Sequence, residues 1–502
     1  MTRLLQARES LWLDELHTVW AATADDFRET ARRAHDGNHS PLYFWLTAAV
    51  VRLCGVSELT VRLPSLLAGA LLPVSLFLVA RRWTGSAWMA LLPAWLVAVD
   101  PQAIYFGTEA RPYAVIQLVS VFHVAVFVEL AQRPTAAMRA GFVLGMALLF
   151  HLHYTAGLLL VGELVWLLGT IWTRPDRVHY AGRALGVDLL TIAAVATIAL
   201  PGVQFVYGRR ASWNAFIDHP GLIGGLRVVP WGVTAVAMMA TAWIARATWP
   251  TKFRTAGPIP YDRAAALCAS VVVAPYLLAW VTSATDTARL VHPRYLAATA
   301  PAVLLMLSVT LARFPQATLR RGGAIGLAVW GLVASGIPGE LSSHRRLIAF
   351  RTDDWRAATA RLNAQPDHAL VPVLLSSLLI ESDHVAARTD ARLDAYVRFP
   401  LNSLYRVTLP PGHLIALPRS APWQLPADGR RQLGTANAAW LVVQADSHGA
   451  DAIAVAVRSA LASGAPGPGI SAANDWSIAT KESFGTVHLV RLTRSSAFAQ
   501  PR

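Results

Sequence analysis

The sequence predicts a polytopic α-helical membrane protein with a soluble α/β domain at its C-terminus. Of its 502 residues, 54% are hydrophobic and only 15% are charged, and the mean hydropathy is +0.41. Soluble globular chains carry about 25% charged residues, so most of this chain is expected to lie in lipid. Long apolar runs fill the first two thirds of the chain. After about residue 338 the composition becomes polar and mixed.

Ten apolar runs are long enough, or nearly long enough, to cross a bilayer. They are 63–80, 86–104, 113–131, 140–152, 156–172, 184–203, 221–245, 264–282, 295–312 and 322–337. A shorter run at 42–54 contains Arg52, and we expect it to lie at the membrane interface or to re-enter rather than to span. The sequence therefore predicts about 10–11 transmembrane helices.

Basic residues predict the orientation of these helices. The formal net charge is +14, and almost all basic residues are arginines. They concentrate in every second loop, which predicts that those loops are cytoplasmic. The residues concerned are Arg81, Arg82, Arg133, Arg139, Arg174, Arg177, Arg183, Arg246, Lys252, Arg254, Arg263, Arg313, Arg320 and Arg321. This distribution favours an inner (cell) membrane protein in contact with membrane lipids, and not a nucleic-acid partner.

The alternate loops, the N-terminal segment and the C-terminal domain are then extracytoplasmic. An outward N-terminal segment needs a preceding helix, so we expect a transmembrane helix upstream of the sequence given. The alternative is that residues 42–54 span and the N-terminus is cytoplasmic, which would separate its carboxylates from the other polar loops. We predict a transmembrane domain at 1–337, in which 1–62 is the first extracytoplasmic loop with juxtamembrane helices, and an extracytoplasmic α/β domain at 338–502.

The polar C-terminal region has the patterns of a small α/β domain. An amphipathic helix is predicted at 354–362, and strands at 369–377, 438–443 and 486–492. The region shows no metal-ligand spacing, phosphate loop or nucleophile elbow. The two cysteines, Cys54 and Cys268, lie in apolar runs. We expect both to be buried and not to form a disulfide framework.

Asp14 and Glu15 are the first candidates for chemistry. They lie beside Trp12, just before the apolar body of the chain, and His39 closes the same segment. Carboxylates at a membrane boundary are costly unless they are solvated, paired or used. The structural alternative is a helix N-terminus, where both carboxylates would complement the helix dipole.

A second motif, at residues 100–113, lies in the outward loop between the second and third predicted spans. Glu109 and Arg111 are two residues apart, so on a helix they would not face each other. In a loop both side chains can point into one cavity, and Pro112 then starts the next helix. The alternative is an interfacial ion pair beside an aromatic belt of Tyr105 and Tyr113.

Two further outward loops carry polar residues. Arg289 and Arg294, followed by Tyr295, run against the positive-inside trend, which indicates an anion such as a lipid phosphate. The alternative is snorkelling to lipid headgroups. His151 and His153 could ligate a metal, but histidines at such a turn more often face water. The sequence predicts no metal site, although a divalent metal is possible.

Carboxylates, a histidine and arginines on one side of a membrane can transfer a group from a lipid-phosphate donor to a hydroxyl. A carboxylate removes the proton of the acceptor hydroxyl. The anomeric carbon is attacked opposite its phosphate through an oxocarbenium-like state. Arginines or a metal stabilise the departing phosphate.

The order of these motifs resembles the membrane glycosyltransferases of the GT-C superfamily, in particular the glycosyltransferase family 39 type. That type includes protein O-mannosyltransferases and the lipid A aminoarabinose transferase. The resemblance covers roughly residues 10–360, and the C-terminal domain matches only in position and style. The matching segments are Trp12–Glu15, His39–Tyr43, Val61–Ser65, Tyr105–Tyr113, His153–Tyr154, His292–Tyr295 and Asp354–Ala358.

The resemblance implies a hexosyl or pentosyl transferase that uses a polyprenyl-phosphate sugar and inverts the anomeric carbon. It places Asp14 as the catalytic carboxylate with Glu15 beside it, and Glu109 as a second acidic residue. Arg111, Arg294 and Tyr295 are candidates for the donor phosphate. His39, Tyr113 and His153 are candidates for substrate binding. The acceptor is a protein, a lipid or another glycan.

Two alternatives from other classes stay open. A lipid-linked sugar flippase or transporter also needs polar groups near the membrane, although transporters tend to show inverted repeats and broken helices at the midplane. A non-catalytic relative could serve as an assembly subunit. Donor binding without turnover would favour this last alternative.

Overall fold

The computed structural model describes residues 7–131, 135–173, 220–248, 263–339, 352–387, 391–463 and 476–494, with residues 186, 193, 204, 207 and 208. The chain divides into two compact units. We call the first the helical unit; it comprises Met1–Ala7, Asp26–Val50 and Val61–Ile348. The second, the α/β unit, comprises Arg8–Asp25, Val51–Thr60 and Ala349–Arg502.

We number the helices along the whole chain, so that α1 (Leu13–Ala22) belongs to the α/β unit. Most of the helices that follow lie close to the apolar runs, although α2 is polar. They are α2 (Phe27–Asp36), α3 (Leu42–Cys54), α4 (Glu58–Thr84), α5 (Ala87–Val99), α6 (Pro101–Thr108), α7 (Tyr113–Leu130), α8 (Ala136–Leu152), α9 (Leu159–Thr173), α10 (Gly232–Thr248), α11 (Ala264–Ala284), α12 (Ala300–Ala312) and α13 (Ala317–Ala334). Short 3-10 turns at Tyr154–Leu158 and Ala297–Thr299 precede α9 and α12.

Within the described residues, α4, α7 and α11 are each long and apolar enough to cross a membrane. Two further pairs meet the same criteria together but are bent, by 64° between α5 and α6 and by 113° between Leu222–Val228 and α10. If each bent pair is one span, the described residues hold up to five spans. The run at 184–203 lies outside the described residues, apart from 186 and 193. The count of 10–11 spans therefore stays a prediction.

The bend between α5 and α6 has a local cause. Asp100 Oδ1 accepts a hydrogen bond from Ala103 N at 2.7 Å and so caps α6. Pro101 follows at the first helical position, where its missing N–H costs nothing. The run predicted as one span at 86–104 is therefore two helices, because hydropathy does not register a helix cap.

A buried polar pair ties α7 to α9. His123 Nε2 lies 2.6 Å from Glu163 Oε1, and their side chains are 0% and 2% exposed. The His123 ring stacks on Phe142 of α8, with 5.2 Å between ring centroids. On α8, Gly145 leaves room for that ring, because an added Cβ would lie 2.7 Å from His123 Nδ1. Removing one partner would leave a buried polar group without its hydrogen bond, so the pair stabilises the packing of these helices.

The α/β unit is built on a five-stranded sheet. Its strands are β1 (Val373–Ser376), β2 (Leu414–Ala416), β3 (Ala438–Gln444), β4 (Trp476–Phe484) and β5 (Val487–Arg494), in the order β2-β1-β3-β5-β4. β1 pairs in parallel with β2 and β3, whereas β5 pairs antiparallel with β3 and β4. The helices of this region are α14 (Trp355–Asn363), α15 (Ala391–Val397), α16 (Ala427–Thr435) and α17 (Ser447–Ser463).

Alternation along the strands fills the core on one face of the sheet. Leu441 and Val443 of β3 pack with Val490 of β5 and with Ala454 and Val457 of α17. All five side chains are fully buried. This apolar cluster is what holds α17 against the sheet.

Most of the elements predicted for the C-terminal region are confirmed. The predicted helix corresponds to α14, and the strands at 438–443 and 486–492 correspond to β3 and β5. The strand predicted at 369–377 is shorter, because the chain turns at Asp367, whose carbonyl accepts the N–H groups of Leu370 and Val371. Leu370 is correspondingly 77% exposed.

One cysteine prediction is wrong. Cys268 is buried, as expected, but Cys54 is exposed. It is the last residue of α3, followed by Gly55 in the left-handed region at φ 79°. An apolar run shows that a helix is hydrophobic, but it does not show which face the last residue occupies.

Six of the basic residues used to predict orientation lie outside the described residues. They are Arg133, Arg174, Arg177, Arg183, Lys252 and Arg254.

Candidate functional site

The break between α6 and α7 positions two predicted site residues of the helical unit. α6 ends at Thr108 and α7 begins at Tyr113, so Glu109 and Arg111 lie in a non-helical connection, as predicted. Arg111 N donates to Glu109 O at 2.7 Å. The two residues are 0% and 3% exposed. Charged groups buried to this extent must be paired.

Arg111 is held through both its side chain and its backbone. Its Nη2 donates to His39 Nε2 at 2.5 Å. Its carbonyl oxygen accepts a hydrogen bond from Ser65 Oγ at 2.8 Å, and Ser65 Oγ lies 2.8 Å from the Tyr43 hydroxyl. Tyr43 and Ser65 belong to segments quoted above only for the resemblance. Their hydroxyls hold the backbone of Arg111, whereas His39 contacts its guanidinium.

Arg294 approaches the same place from the loop after α11. Its Nη2 lies 3.6 Å from Glu109 Oε1. Its guanidinium carbon lies 5.7 Å from the centroid of the Tyr113 ring, within the range of a cation–π contact. Its backbone N–H donates to His292 Nδ1 at 3.3 Å. The Arg294 side chain is 25% exposed, in contrast to the buried Glu109.

His153 lies among these residues. Its ring centroid is 6.1 Å from that of His39, 5.8 Å from Tyr113 and 6.0 Å from Tyr295. Thr155 Oγ1 lies 2.8 Å from His153 Nδ1, and the Thr155 N–H also donates to it. Because Nδ1 accepts, the proton of the neutral ring is on Nε2. Burial, and the charges of Arg111 and Arg294, lower the pKa of His153 to about 3.

The structure thus brings seven predicted residues of the helical unit together: His39, Glu109, Arg111, Tyr113, His153, Arg294 and Tyr295. We call this group the arginine cluster. The cluster contains two guanidinium groups and only one carboxylate, so it favours an anion with several oxygens, such as a phosphate. Tyr113 is only 2% exposed, which does not fit the alternative of an interfacial aromatic belt.

Asp14 and Glu15 belong to the α/β unit, and both lie in the first turn of α1. Glu15 Oε2 accepts the N–H of Trp12, the N-cap residue, at 3.3 Å, and Glu15 is fully buried. The structural alternative, in which these acids stabilise a helix N-terminus, therefore accounts for Glu15. Asp14 is half-buried.

Sequence reasoning missed Asp353, a half-buried carboxylate of the α/β unit. Gln444 Nε2 donates to its Oδ2 at 2.8 Å, and Thr486 Oγ1 donates to its Oδ1. Burial raises the pKa of Asp353, and the charge of Asp14 raises it further. The two acids are thus electrostatic neighbours. No motif singles out Asp353, because its partners are far apart in the sequence.

Metal binding has no visible basis in the described ranges. No three or more His, Cys, Asp or Glu side chains in them are arranged to hold a metal ion.

The profile of the family described as dolichyl-phosphate-mannose-protein mannosyltransferase matches residues 38–206. No curated protein sequence matches the chain. ArnT from Cupriavidus metallidurans bound to undecaprenyl phosphate has 15% identity and a TM-score of 0.55, covering 99% of this chain and 96% of its own. The apo state of the same ArnT has 15% identity and a TM-score of 0.49, with 97% and 94% covered.

An oligosaccharyltransferase from Archaeoglobus fulgidus, in complex with Zn and sulfate, is also similar in part. It has 12% identity and a TM-score of 0.37, with 84% of this chain and 62% of its own covered.

The chain therefore shares its fold with this ArnT, and its residues 38–206 are similar to the mannosyltransferase family. The predicted resemblance to the GT-C superfamily, of the family 39 type, is confirmed.

Proposed function

We propose that the protein transfers a single sugar from a polyprenyl phosphate to a hydroxyl acceptor on the extracytoplasmic side of the membrane, with inversion at the anomeric carbon. The observation that carries this proposal is the arginine cluster. Arg111 and Arg294 are held in place by a histidine, a tyrosine ring and a buried carboxylate. A structure of similar fold contains undecaprenyl phosphate, which supports a donor of this class.

Arg111 and Arg294 are proposed to bind the donor phosphate, with Tyr295 beside them. They neutralise the charge that develops on the phosphate as the glycosidic bond breaks. Glu109 orients the Arg294 guanidinium, from which it lies 3.6 Å away. His153 carries its proton on Nε2 and can donate a hydrogen bond to a phosphate or sugar oxygen. Tyr113 and His39 hold the two arginines and bind the donor.

Asp14 is proposed as the general base that takes the proton of the acceptor hydroxyl. A carboxylate in this role contributes about 10²- to 10⁴-fold to the rate. Glu15 supports it by capping α1, since its Oε2 accepts the Trp12 N–H. The acceptor oxygen then attacks the anomeric carbon on the face opposite the phosphate. The bond to the phosphate breaks, polyprenyl phosphate leaves, and the configuration at the anomeric carbon is inverted.

The finer topology is part of the same proposal. We propose about 10–11 transmembrane helices in residues 1–337, with residues 1–62 as the first extracytoplasmic loop, and an extracytoplasmic domain at 338–502. The protein would lie in the inner (cell) membrane. Single-cysteine labelling with a membrane-impermeant reagent, in a Cys54→Ala/Cys268→Ala background, tests the predicted sidedness of residue 14.

The binding role is tested with undecaprenyl phosphate itself, measured by native mass spectrometry of the detergent-purified protein. Replacing Arg294 or Arg111 by Gln should weaken binding about 10- to 100-fold, because each loses a charge-assisted contact to the phosphate. Arg289→Gln is the matched control, since Arg289 lies in the same loop and pairs with Asp286 at 3.3 Å. Binding to Arg294→Gln and Arg111→Gln as tight as to Arg289→Gln would show that the arginine cluster does not bind the donor phosphate.

A further inference from the structure

The segment that carries Asp14 folds with the C-terminal sheet. Residues 8–25, residues 51–60 and the chain from 349 onward form the one compact α/β unit. Its parts are far apart in the sequence, so specific contacts must hold the short segments to the sheet region. These contacts decide how firmly α1, and with it Asp14, is placed.

The first of these contacts is made by Tyr405. Its hydroxyl accepts the backbone N–H of Leu11 at 2.9 Å and donates to Glu58 Oε1 at 3.2 Å. Tyr405 is only 7% exposed. Burial, chiefly, raises the pKa of Tyr405, so its hydroxyl keeps the proton that it donates to Glu58.

Arg356 makes the second contact, near the start of α14. Its Nε lies 3.1 Å from Glu58 Oε1, the same oxygen that Tyr405 contacts. Its backbone N–H donates to Ser10 Oγ at 3.2 Å, and its Nη2 donates to the carbonyl of Arg8 at 2.7 Å. These contacts join Glu58, of residues 51–60, and Arg356, of the chain from 349 onward, with the residues just before α1.

These bonds set the start of α1 in detail. Tyr405 holds the N–H of Leu11, and Glu15 holds the next N–H, that of Trp12. Leu11 is fully buried. Asp14 is the second residue of α1. Because the N–H groups of Leu11 and Trp12 are held, the backbone leading into Asp14 has little freedom, which restricts the positions that its carboxylate can reach.

We propose that Tyr405, Glu58 and Arg356 are positioning residues for the sugar-transfer reaction, because they hold the start of α1 and thereby aim the Asp14 carboxylate. The proposal rests on the proposed function, in which Asp14 is the general base. It gives the C-terminal unit a direct part in the chemical step. None of the three residues needs to touch a substrate.

The test uses the full chain and two readouts. The first is trypsin cleavage after Arg8, whose carbonyl Arg356 engages, followed by mass spectrometry of the fragment that begins at Glu9. Cleavage after the exposed Arg28 serves as the internal reference. The second is release of undecaprenyl phosphate from undecaprenyl-phosphoryl hexoses and pentoses in a membrane fraction that contains native acceptors. It is analysed as kcat and donor KM separately.

Tyr405→Phe and Arg356→Gln should be cut after Arg8 about tenfold faster, with kcat about tenfold lower and donor KM within about twofold of wild type. Arg361→Gln is the matched control. Arg361 lies on the same helix and also pairs with a glutamate, Glu482 at 2.7 Å, but does not touch the segment before α1. Glu58→Gln is a milder variant for use if Tyr405→Phe folds poorly.

Wild-type cleavage and wild-type kcat in Tyr405→Phe, Arg356→Gln and Glu58→Gln would overturn the proposal, provided that Asp14→Asn is inactive. A loss confined to donor KM would overturn it too. Full turnover by Asp14→Asn would instead show that the proposed function is wrong, whatever the cleavage pattern. The activity of Asp14→Asn thus distinguishes failure of the proposed function from failure of the positioning proposal.

Discussion

The two units of this protein hold opposite kinds of chemistry. In the helical unit, Arg111 and Arg294 gather around rings and one carboxylate. In the α/β unit, Asp14 lies in the first turn of α1, and its electrostatic neighbour Asp353 lies just before α14. The first set suits a phosphate and the second suits proton removal. The proposed reaction needs both kinds of group, and each kind lies within one compact unit.

The unit boundaries explain why each set is stable. The buried Arg111 needs partners that are fixed in place, and the helical unit provides them through His39 and Ser65. A helix start with two carboxylates needs capping and a supporting surface, which Glu15 and Tyr405 provide. Each group is therefore paired within its own unit.

The largest expected effect comes from the buried His123–Glu163 pair of the helical unit, which lies outside the arginine cluster. Replacing Glu163 by Leu should lower the free energy of unfolding by about 3 kcal/mol, because His123 is left buried without its partner. Glu163→Gln keeps an acceptor and should cost much less. Thermal unfolding in detergent measures both. Equal stability of Glu163→Leu and wild type would show that the pair does not fix the packing of α7 and α9.

Glu109 offers the sharper contrast, since its partner Arg294 is assigned to the donor phosphate. Glu109→Gln removes a negative charge next to the bound anion, so undecaprenyl phosphate should bind about 3- to 10-fold more tightly. Turnover should nevertheless fall, because Arg294 loses its orienting carboxylate. Weaker binding of undecaprenyl phosphate to Glu109→Gln would contradict the expected repulsion between the Glu109 carboxylate and the bound phosphate.

The next effect is the loss of stability of the helical unit on acidification, which we expect from His153. The pKa of His153 is lowered by folding to about 3, so its contribution to stability is present above its ordinary pKa of about 6.5 and is lost as pH falls toward 3. The unfolding midpoint of the wild type should fall by a few degrees between pH 7 and pH 5, relative to His153→Gln. Histidine-selective NMR provides the direct reading of the same pKa. Identical pH dependence in the two proteins would contradict a depressed pKa.

In the α/β unit, the contribution of Asp353 to stability should depend on pH in the direction opposite to that of His153, and this is the smallest of the expected effects. Folding raises the pKa of Asp353, so its contribution is fully present below its ordinary pKa and is lost as pH rises through the raised value. Asp353→Asn keeps an acceptor for Gln444 and should be more stable than wild type at pH 7, by about 1 kcal/mol at most. Unfolding at pH 4 and pH 7 measures the difference. Loss of stability at pH 7 would mean that the charge of Asp353 is needed.

The sequence predicted those features that depend on local pattern. The run at 113–131 corresponds to α7, and the run at 264–282 to α11, because an apolar helix is a property of its own residues. The break at Asp100 was missed, since one capping oxygen does not change mean hydropathy. Cys54 was predicted to be buried but is exposed, because an apolar run does not show which face of the helix a residue occupies.

For the candidate site, the sequence predicted which residues carry charge but not what holds them. The motif residues Arg111, Arg294 and His153 are brought together, as their shared orientation suggested. Their supports, Ser65 and Thr155, are ordinary hydroxyl residues that no spacing distinguishes. Asp353 is missing from any motif, because its bonds to Gln444 and Thr486 span about a hundred residues of chain.

The division of labour between the units is tested most directly with Asp14→Asn. Sugar transfer and undecaprenyl phosphate binding are measured on the same preparation, with the exposed carboxylate variant Asp25→Asn as control. We predict that transfer falls about 10²- to 10⁴-fold, while binding stays within about twofold of wild type, because the base acts on the acceptor and the arginines hold the donor. Transfer by Asp14→Asn at the rate of Asp25→Asn would contradict the assignment of the base to the α/β unit.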